Sequence, residues 1–278
     1  MMSTSSPNSG GSGDNALQAD AANSQFMSQS KEAAAQQGHP DPGQDNSQPL
    51  ISTGGSDTPI KGLPLLSRSS LDRKIIRVQR DVLKMGALVE NSCLLAREAL
   101  CDRDLDAARK IPIQDKQIDT LYRQIEVDCT NLLTLEAPVT QDLRLVSALM
   151  QMVRDLERIG DYAKSIGSIA IKLFPYPIHA CMGDIETMLD RCRSMVALCL
   201  RSLSELDPVA GRSIKQKDDV VDDDYARLYA QLIDSPCTTG TVEPVVLLVL
   251  VIRSLERIAD HATNVGKRVT FVVTGERF

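Results

Sequence analysis

The sequence predicts an all-α protein: two tandem three-helix bundles preceded by a disordered N-terminal tail. Three observations carry this expectation. After residue 70 apolar residues recur at alternating steps of three and four, the period of a helix buried along one face. A compound segment of the chain returns in a second copy, in the same order, as internal duplication produces. Before residue 67 the composition is of another kind, polar and rich in Gly, Ser and Pro, which does not build a core.

Residues 1–66 contain runs such as Ser9-Gly10-Gly11-Ser12-Gly13 and Gly38-His39-Pro40-Asp41-Pro42-Gly43, and large apolar residues (Leu17, Phe26, Leu50, Ile51) are sparse there. So little apolar surface does not offset the entropy of ordering, and the segment is expected to be a disordered tail. The first bundle is expected over 67–175. Ser70 is placed to cap its first helix, with Asp72 in the opening turn and a stripe of Leu71, Ile75, Val78, Val82, Met85 and Val89. A break is expected at Pro112, then a second helix through Ile118, Leu121, Ile125, Cys129 and Leu132, closed by Pro138. A third runs from about Thr140 to Leu173, where Phe174-Pro175-Tyr176-Pro177 interrupts the chain. The second bundle, 176–278, repeats these events, with helices expected at about 178–206, 214–233 and 241–273. Val245–Ile252 is an unbroken run of aliphatic residues that resembles a strand in isolation. It continues without a turn into an amphipathic segment, so it is assigned to the last helix.

The duplication can be read residue by residue. At an offset of 99, Arg154–Gly167 (RDLERIGDYAKSIG) overlays Arg253–Gly266 (RSLERIADHATNVG), with eight of fourteen positions identical. At an offset of 103, Asp115-x-x-Ile118-Asp119-x-x-Tyr122 overlays Asp218-x-x-Val221-Asp222-x-x-Tyr225. Two ordered matches indicate two copies of one three-helix unit.

Composition removes several classes of function. Aromatics are 3% of residues, with no Trp, too few to stack successive bases. Against 31 Lys and Arg stand 37 Asp and Glu, a formal charge of −6, which repels a phosphate backbone. The seven cysteines (Cys93, Cys101, Cys129, Cys181, Cys192, Cys199, Cys237) include no CxxC and fall mostly at apolar helical positions, so they are expected as free thiols in a reducing cytoplasm. No signal peptide and no membrane span are expected, the longest apolar run being the eight residues Val245–Ile252. Three scattered histidines, and the lack of a P-loop, GxGxxG or GxSxG motif, give no catalytic constellation, so no catalytic residue is assigned.

What each copy does carry is two acidic pairs at i, i+4: Asp115/Asp119 and Glu157/Asp161 in the first, Asp218/Asp222 and Glu256/Asp260 in the second. Residues four apart share a helix face, and like charges there cost about 0.2–0.5 kcal/mol, which a bound cation would offset. Two facing helices would surround that cation with hard oxygen ligands, suited to Mg²⁺, Mn²⁺, Ca²⁺ or iron rather than to a closed structural zinc site. Arginines beside and three residues before each glutamate (Arg158 and Arg154, Arg257 and Arg253) offer the other solution, ion pairs on a helical adaptor without metal. A ferritin-like di-metal enzyme would need Glu-x-x-His pairs, and no acid here has a histidine three residues on.

These segments resemble the paired signatures of the PhoU family: Leu156-Glu157-Arg158-Ile159-Gly160-Asp161-Tyr162-Ala163 and Leu255-Glu256-Arg257-Ile258-Ala259-Asp260-His261-Ala262-Thr263-Asn264, with the ending Val269-Thr270-Phe271-Val272-Val273-Thr274-Gly275-Glu276. The resemblance runs from about Ser70 to the end and implies six helices in two bundles, each with a metal cluster. The implied ligands are Glu157, Asp161, Glu256 and Asp260, faced by Asp115, Asp119, Asp218 and Asp222, with Arg158, Arg257 and Asn264 in support; the first copy has Ser165 where the second has Asn264. The implied cofactor is carboxylate-bound metal, whether iron, manganese, magnesium or zinc. The implied role is non-enzymatic: damping of phosphate uptake and phosphate-starvation signalling through the ATPase subunit of the phosphate transporter and a sensor histidine kinase. A homodimer in the cytoplasm, at the inner face of the membrane through its partners, belongs to the same implication. So does the neighbouring role of accessory protein to a low-affinity phosphate permease.

Overall fold

The computed structural model describes residues 64–234 and 240–276. Six α-helices follow in order: α1 (Pro64–Leu100), α2 (Leu105–Asn131), α3 (Thr140–Leu173), α4 (Met182–Glu205), α5 (Pro208–Ile233) and α6 (Glu243–Thr274), with a π-helical turn at Leu132–Glu136 after α2. There is no strand among the described residues. Helices α1, α2 and α3 pack on one another, and so do α4, α5 and α6. The two triplets meet where α3 lies against α6 and α1 against α4. Buried side chains of all six helices form one continuous core.

The apolar stripes read from the sequence are the buried faces. Ile75, Val78, Val82, Met85 and Val89 line α1 at 5% exposure or less. The aliphatic run Val245–Ile252 lies wholly within α6, where burial against other helices overrides its β propensity.

Several boundaries are corrected. The tail expected over residues 1–66 lies outside the described residues as far as residue 63, and the chain is already helical at Pro64. Ser70 is therefore inside α1 rather than its cap. A proline at the first helical position loses no backbone bond, which favours the earlier start. Pro112 does not break the second helix but sits within α2. Its ring is exposed while Ile111, Gln114 and Asp115 beside it are buried, so packing outweighs a cost of about 3 kcal/mol for an interior proline. Helix α4 starts at Met182, past the expected 178, and α5 at Pro208, six residues before the expected 214. The earlier α5 start has a cap: Asp207 Oδ1 accepts from the backbone N–H of Val209 (2.8 Å) and Ala210 (3.2 Å). Asp104 caps α2 in the same way, accepting from Asp106 and Ala107. These two aspartates are themselves 103 residues apart, so the duplication extends to the caps.

Close packing is duplicated too. A Cβ on Gly167 of α3 would lie 2.5 Å from Ile111 Cδ1, and one on Gly266 of α6 would lie 2.7 Å from Ile214 Cδ1. Gly160 sits under Ile118, whereas the corresponding positions of the second copy hold Ala259 and Val221. One methyl group has changed sides across the helix contact, conserving the volume that a close-packed interior demands.

Between the copies, the turn after α1 holds the connecting segment. Arg103 adopts a positive φ of 58°. Its guanidinium donates to the carbonyls of Tyr176 (3.2 Å) and Phe174 and lies 4.9 Å from the Phe174 ring centroid.

Candidate functional site

Helices α2 and α3 bring the first set of acids together. Asp115 on α2 is buried, and Lys164 Nζ on α3 donates to its Oδ2 at 2.6 Å. The same ammonium is 3.5 Å from Asp161 Oδ1. Glu157, one turn before Asp161, is pushed above the usual carboxylate range by burial and then by the Asp161 charge, with Asp119 adding to the effect. All four predicted residues therefore act on one patch. Arg158 reaches both Glu157 (3.4 Å) and Asp161 (3.4 Å), and Arg123 lies 3.8 Å from Asp119.

Helices α5 and α6 assemble the second set. Asp218 is 4% exposed. Lys215 donates to its Oδ2 at 3.0 Å, while Oδ1 is buried with no hydrogen-bond partner. Asp222 is pushed up by burial, then by Asp218, with Asp260 of α6 contributing across the helix contact. Asp260 pairs with Arg257 at 3.1 Å, and Glu256 with Arg253 and, at 3.8 Å, Arg257. Among the described residues no Lys, Arg or His nitrogen comes within 4 Å of Asp222. Asn264 enters through its backbone carbonyl, which accepts from Arg268.

Does this donor set fit a metal? Carboxylates from two helices face each other in both copies, and two of them are destabilised by burial and then by like charge. Among the described residues, however, no three His, Cys, Asp or Glu side chains close on a common point, and seven of the eight predicted acids have a cation within 4 Å. The orphaned Asp218 oxygen is the feature that suits a cation. A buried acceptor without a partner costs about 1–3 kcal/mol, and a metal would relieve that cost.

An apolar cavity of about 220 Å³ lies under the connecting segment, lined by Leu100, Leu173, Phe174, Ile178, Val245 and Leu248 among others. Beside it His179 Nδ1 is 3.0 Å from Cys181 Sγ. Burial pushes that thiol up to about 11, the opposite of an activated nucleophile. The six described cysteines are free thiols, and burial raises Cys93, Cys101 and Cys129 to about 12. Cys237 lies outside the described residues. No described helix is long and apolar enough to cross a membrane.

Two features were not expected from the sequence. Asp155 of α3, 6% exposed, is 2.8 Å from His261 Nδ1 and 2.8 Å from Arg268 Nη1, both on α6. Tyr162 stacks on His261 with ring centroids 5.9 Å apart. The other is Lys164 inside the first acidic patch. Both lie where the two fourteen-residue copies differ: Asp155 stands against Ser254, Tyr162 against His261 and Lys164 against Thr263. Identities reveal a duplication; the differences reveal what each copy does alone.

Known proteins place this architecture. The family model described as "PhoU domain" matches residues 82–170 and again 185–269. The chain is 52% identical over 210 residues to a phosphate-specific transport system accessory protein PhoU homolog of Synechocystis, covering 76% of this chain and 94% of that one. A Pseudomonas putida protein of the same description is 32% identical over 71% of this chain and 78% of its own. Among solved structures, the phosphate transport system regulatory protein PhoU of Streptococcus pneumoniae superposes with a TM-score of 0.69 at 28% identity, covering 75% of this chain and 99% of that one. A family model matched twice in tandem, and relatives of this identity over most of their length, show that this chain belongs to the PhoU family.

Proposed function

We propose that this protein is a non-enzymatic regulator of phosphate homeostasis. It restrains high-affinity phosphate uptake and phosphate-starvation signalling by contacting the ATPase subunit of the phosphate transporter and a sensor histidine kinase. It works in the cytoplasm, at the inner membrane face when its partners bind, as a homodimer whose two bundles, 67–175 and 176–278, each present a carboxylate face able to hold metal. The observation that supports this reading is the doubled face: acids from two helices gathered at corresponding places in both copies, with Glu157 and Asp222 destabilised by burial and then by neighbouring charge. The names borne by its relatives supply the transport context.

The test is capture of the transporter ATPase and the sensor kinase by the full chain, wild type against Glu157→Lys with Glu256→Lys. We expect the double variant to lose at least tenfold in retained partner, since rim charges of an interface set both encounter and specificity. Unchanged capture would remove the carboxylate faces from the contact. A second reading, a metal-free helical adaptor, is favoured by the ion pairs that meet seven of the eight acids. Wild-type protein that captures both partners while carrying no metal would establish it.

A further inference from the structure

The cavity where the two copies join has no part in the carboxylate faces, for none of the eight acids lines it. Its walls come from the last residues of α1 and α3 (Leu100, Leu173), the first two turns of α6 (Leu248) and the connecting segment (Phe174, Ile178). Phe174 and Ile178 line it and yet are 43% and 63% exposed, so its mouth lies along that segment. An apolar cavity of about 150 Å³ stays dry and takes up benzene, and on the same scale this one, at about 220 Å³, holds a chain of about nine carbons.

Among the described residues of the lining, Arg103 alone is permanently charged. Tyr176 donates its hydroxyl proton to Glu243 at 2.5 Å. His179 Nδ1 is occupied by Cys181, with Sγ at 3.0 Å and the backbone nitrogen at 3.3 Å. Cys101 is held as the neutral thiol, pushed up to about 12 by burial. Arg103 directs two N–H groups at neutral carbonyls, those of Tyr176 and Phe174, and its guanidinium rests on the Phe174 ring. No carboxylate oxygen of a described residue comes within 4 Å of it. The neighbouring acids are committed elsewhere, Asp102 to Arg97 and Asp104 to the cap of α2. A guanidinium fork with donors left over, beside a dry apolar cavity, is matched by a carboxylate carried on an apolar chain. We infer that this cavity is a binding site for a free medium-chain carboxylate of the fatty-acid class. Its chain lies beneath the connecting segment and its head group meets Arg103. Walls come from both copies, so an occupant fastens the ends of α1 and α3 to the start of α6. This site goes beyond the phosphate-regulating role proposed above and does not depend on it.

Titration calorimetry of the full chain with decanoate below its micellar concentration, against 1-decanol and decyltrimethylammonium, tests the site. Wild type should take up one decanoate per chain, at least tenfold more tightly than either of the others. Arg103→Gln should weaken decanoate roughly tenfold to a hundredfold, as loss of a charge-assisted contact does, and leave decanol unchanged. Arg103→Lys, which keeps the charge but not the fork, should fall between. Ala170→Leu, which fills the cavity from the buried wall of α3, should weaken decanoate and decanol alike. Bound decanoate should also slow amide exchange over residues 174–181. Circular dichroism identifies any variant that fails to fold, and the comparison of three ligands on wild type needs no variant. No uptake of decanoate, equal affinity for the cationic amphiphile, or decanoate binding that survives Ala170→Leu would each overturn the inference. Retention of the chain by phosphatidylglycerol vesicles without uptake of monomeric decanoate would make the occupant a membrane lipid's acyl chain and overturn it as well.

Discussion

At the scale of single residues, two glycines meet where α5 crosses α6. A Cβ on Gly266 would stand 2.7 Å from the carbonyl oxygen of Gly211, which is backbone and does not move aside. On Gly167, its counterpart, the nearest atom is the terminal methyl of Ile111, which another rotamer can relocate. We therefore expect Gly266→Ala to destabilise by about 2–3 kcal/mol, as overpacking in a rigid site does, and Gly167→Ala by about 1 kcal/mol or less. Urea-unfolding midpoints compare the pair, and equal losses would refute the backbone contact. At this scale the sequence was half legible. The eight acids stand out because each pair lies within one helix, where spacing alone fixes a shared face. Lys164 and Asp155 do not stand out, because each has a partner on another helix, and which faces meet is decided by packing that no local period encodes.

Among elements, the helices themselves were read correctly from their apolar stripes, while their ends were displaced at Ser70, Ile178 and Ile214. Ends depend on single caps and on tertiary contacts, which outweigh propensities of a few tenths of a kcal/mol. Pro112 is the clearest instance, since its local cost is real but its exposed position spares the packed face. The segment joining the copies is contacted by Arg103, whose φ of 58° is unfavourable for any residue with a Cβ by about 1–2 kcal/mol. Arg103→Ala keeps that strain and loses the two carbonyl contacts and the Phe174 stack. Arg103→Gly loses the same contacts but relieves the strain. The glycine variant is thus expected to be more stable than the alanine variant by about 0.5–1 kcal/mol. Both should show faster amide exchange over residues 174–181 than wild type. An alanine variant as stable as the glycine one would mean that the backbone strain has been misjudged.

For the molecule as a whole, the duplicated halves share one core, and a deeply buried carboxylate ties them together. Asp155 answers both His261 and Arg268 across the α3–α6 seam. Removing the carboxylate takes the acceptor from two half-buried partners, at about 1.5–3 kcal/mol. Calorimetry of Asp155→Ala should show a single transition, as in wild type, with its midpoint lowered accordingly, because the halves cannot come apart without exposing the seam. Asp155→Asn, which keeps one hydrogen-bonding oxygen, should lose less. Two resolved transitions in wild type would show instead that each bundle holds its own core. The bundles were legible in the sequence from the repeat; the seam was not, since it is built from the few positions at which the copies disagree.

That disagreement has a consequence for how a chain with two look-alike halves finds its way home. Helices α3 and α6 share much of their sequence, so on the ribosome or in a concentrated refolding mixture each could pair with its own kind from a neighbouring chain. Two copies of α3 would set Asp155 against Tyr162 with no cation. Two copies of α6 would set His261 against Ser254 and leave Arg268 without its carboxylate. Only the unlike pair gives Asp155 both of its partners, a complementary address of the sort that sorts coiled-coil partners. A handful of differences thus makes two look-alike halves a left hand and a right, fitted to clasp each other and not themselves.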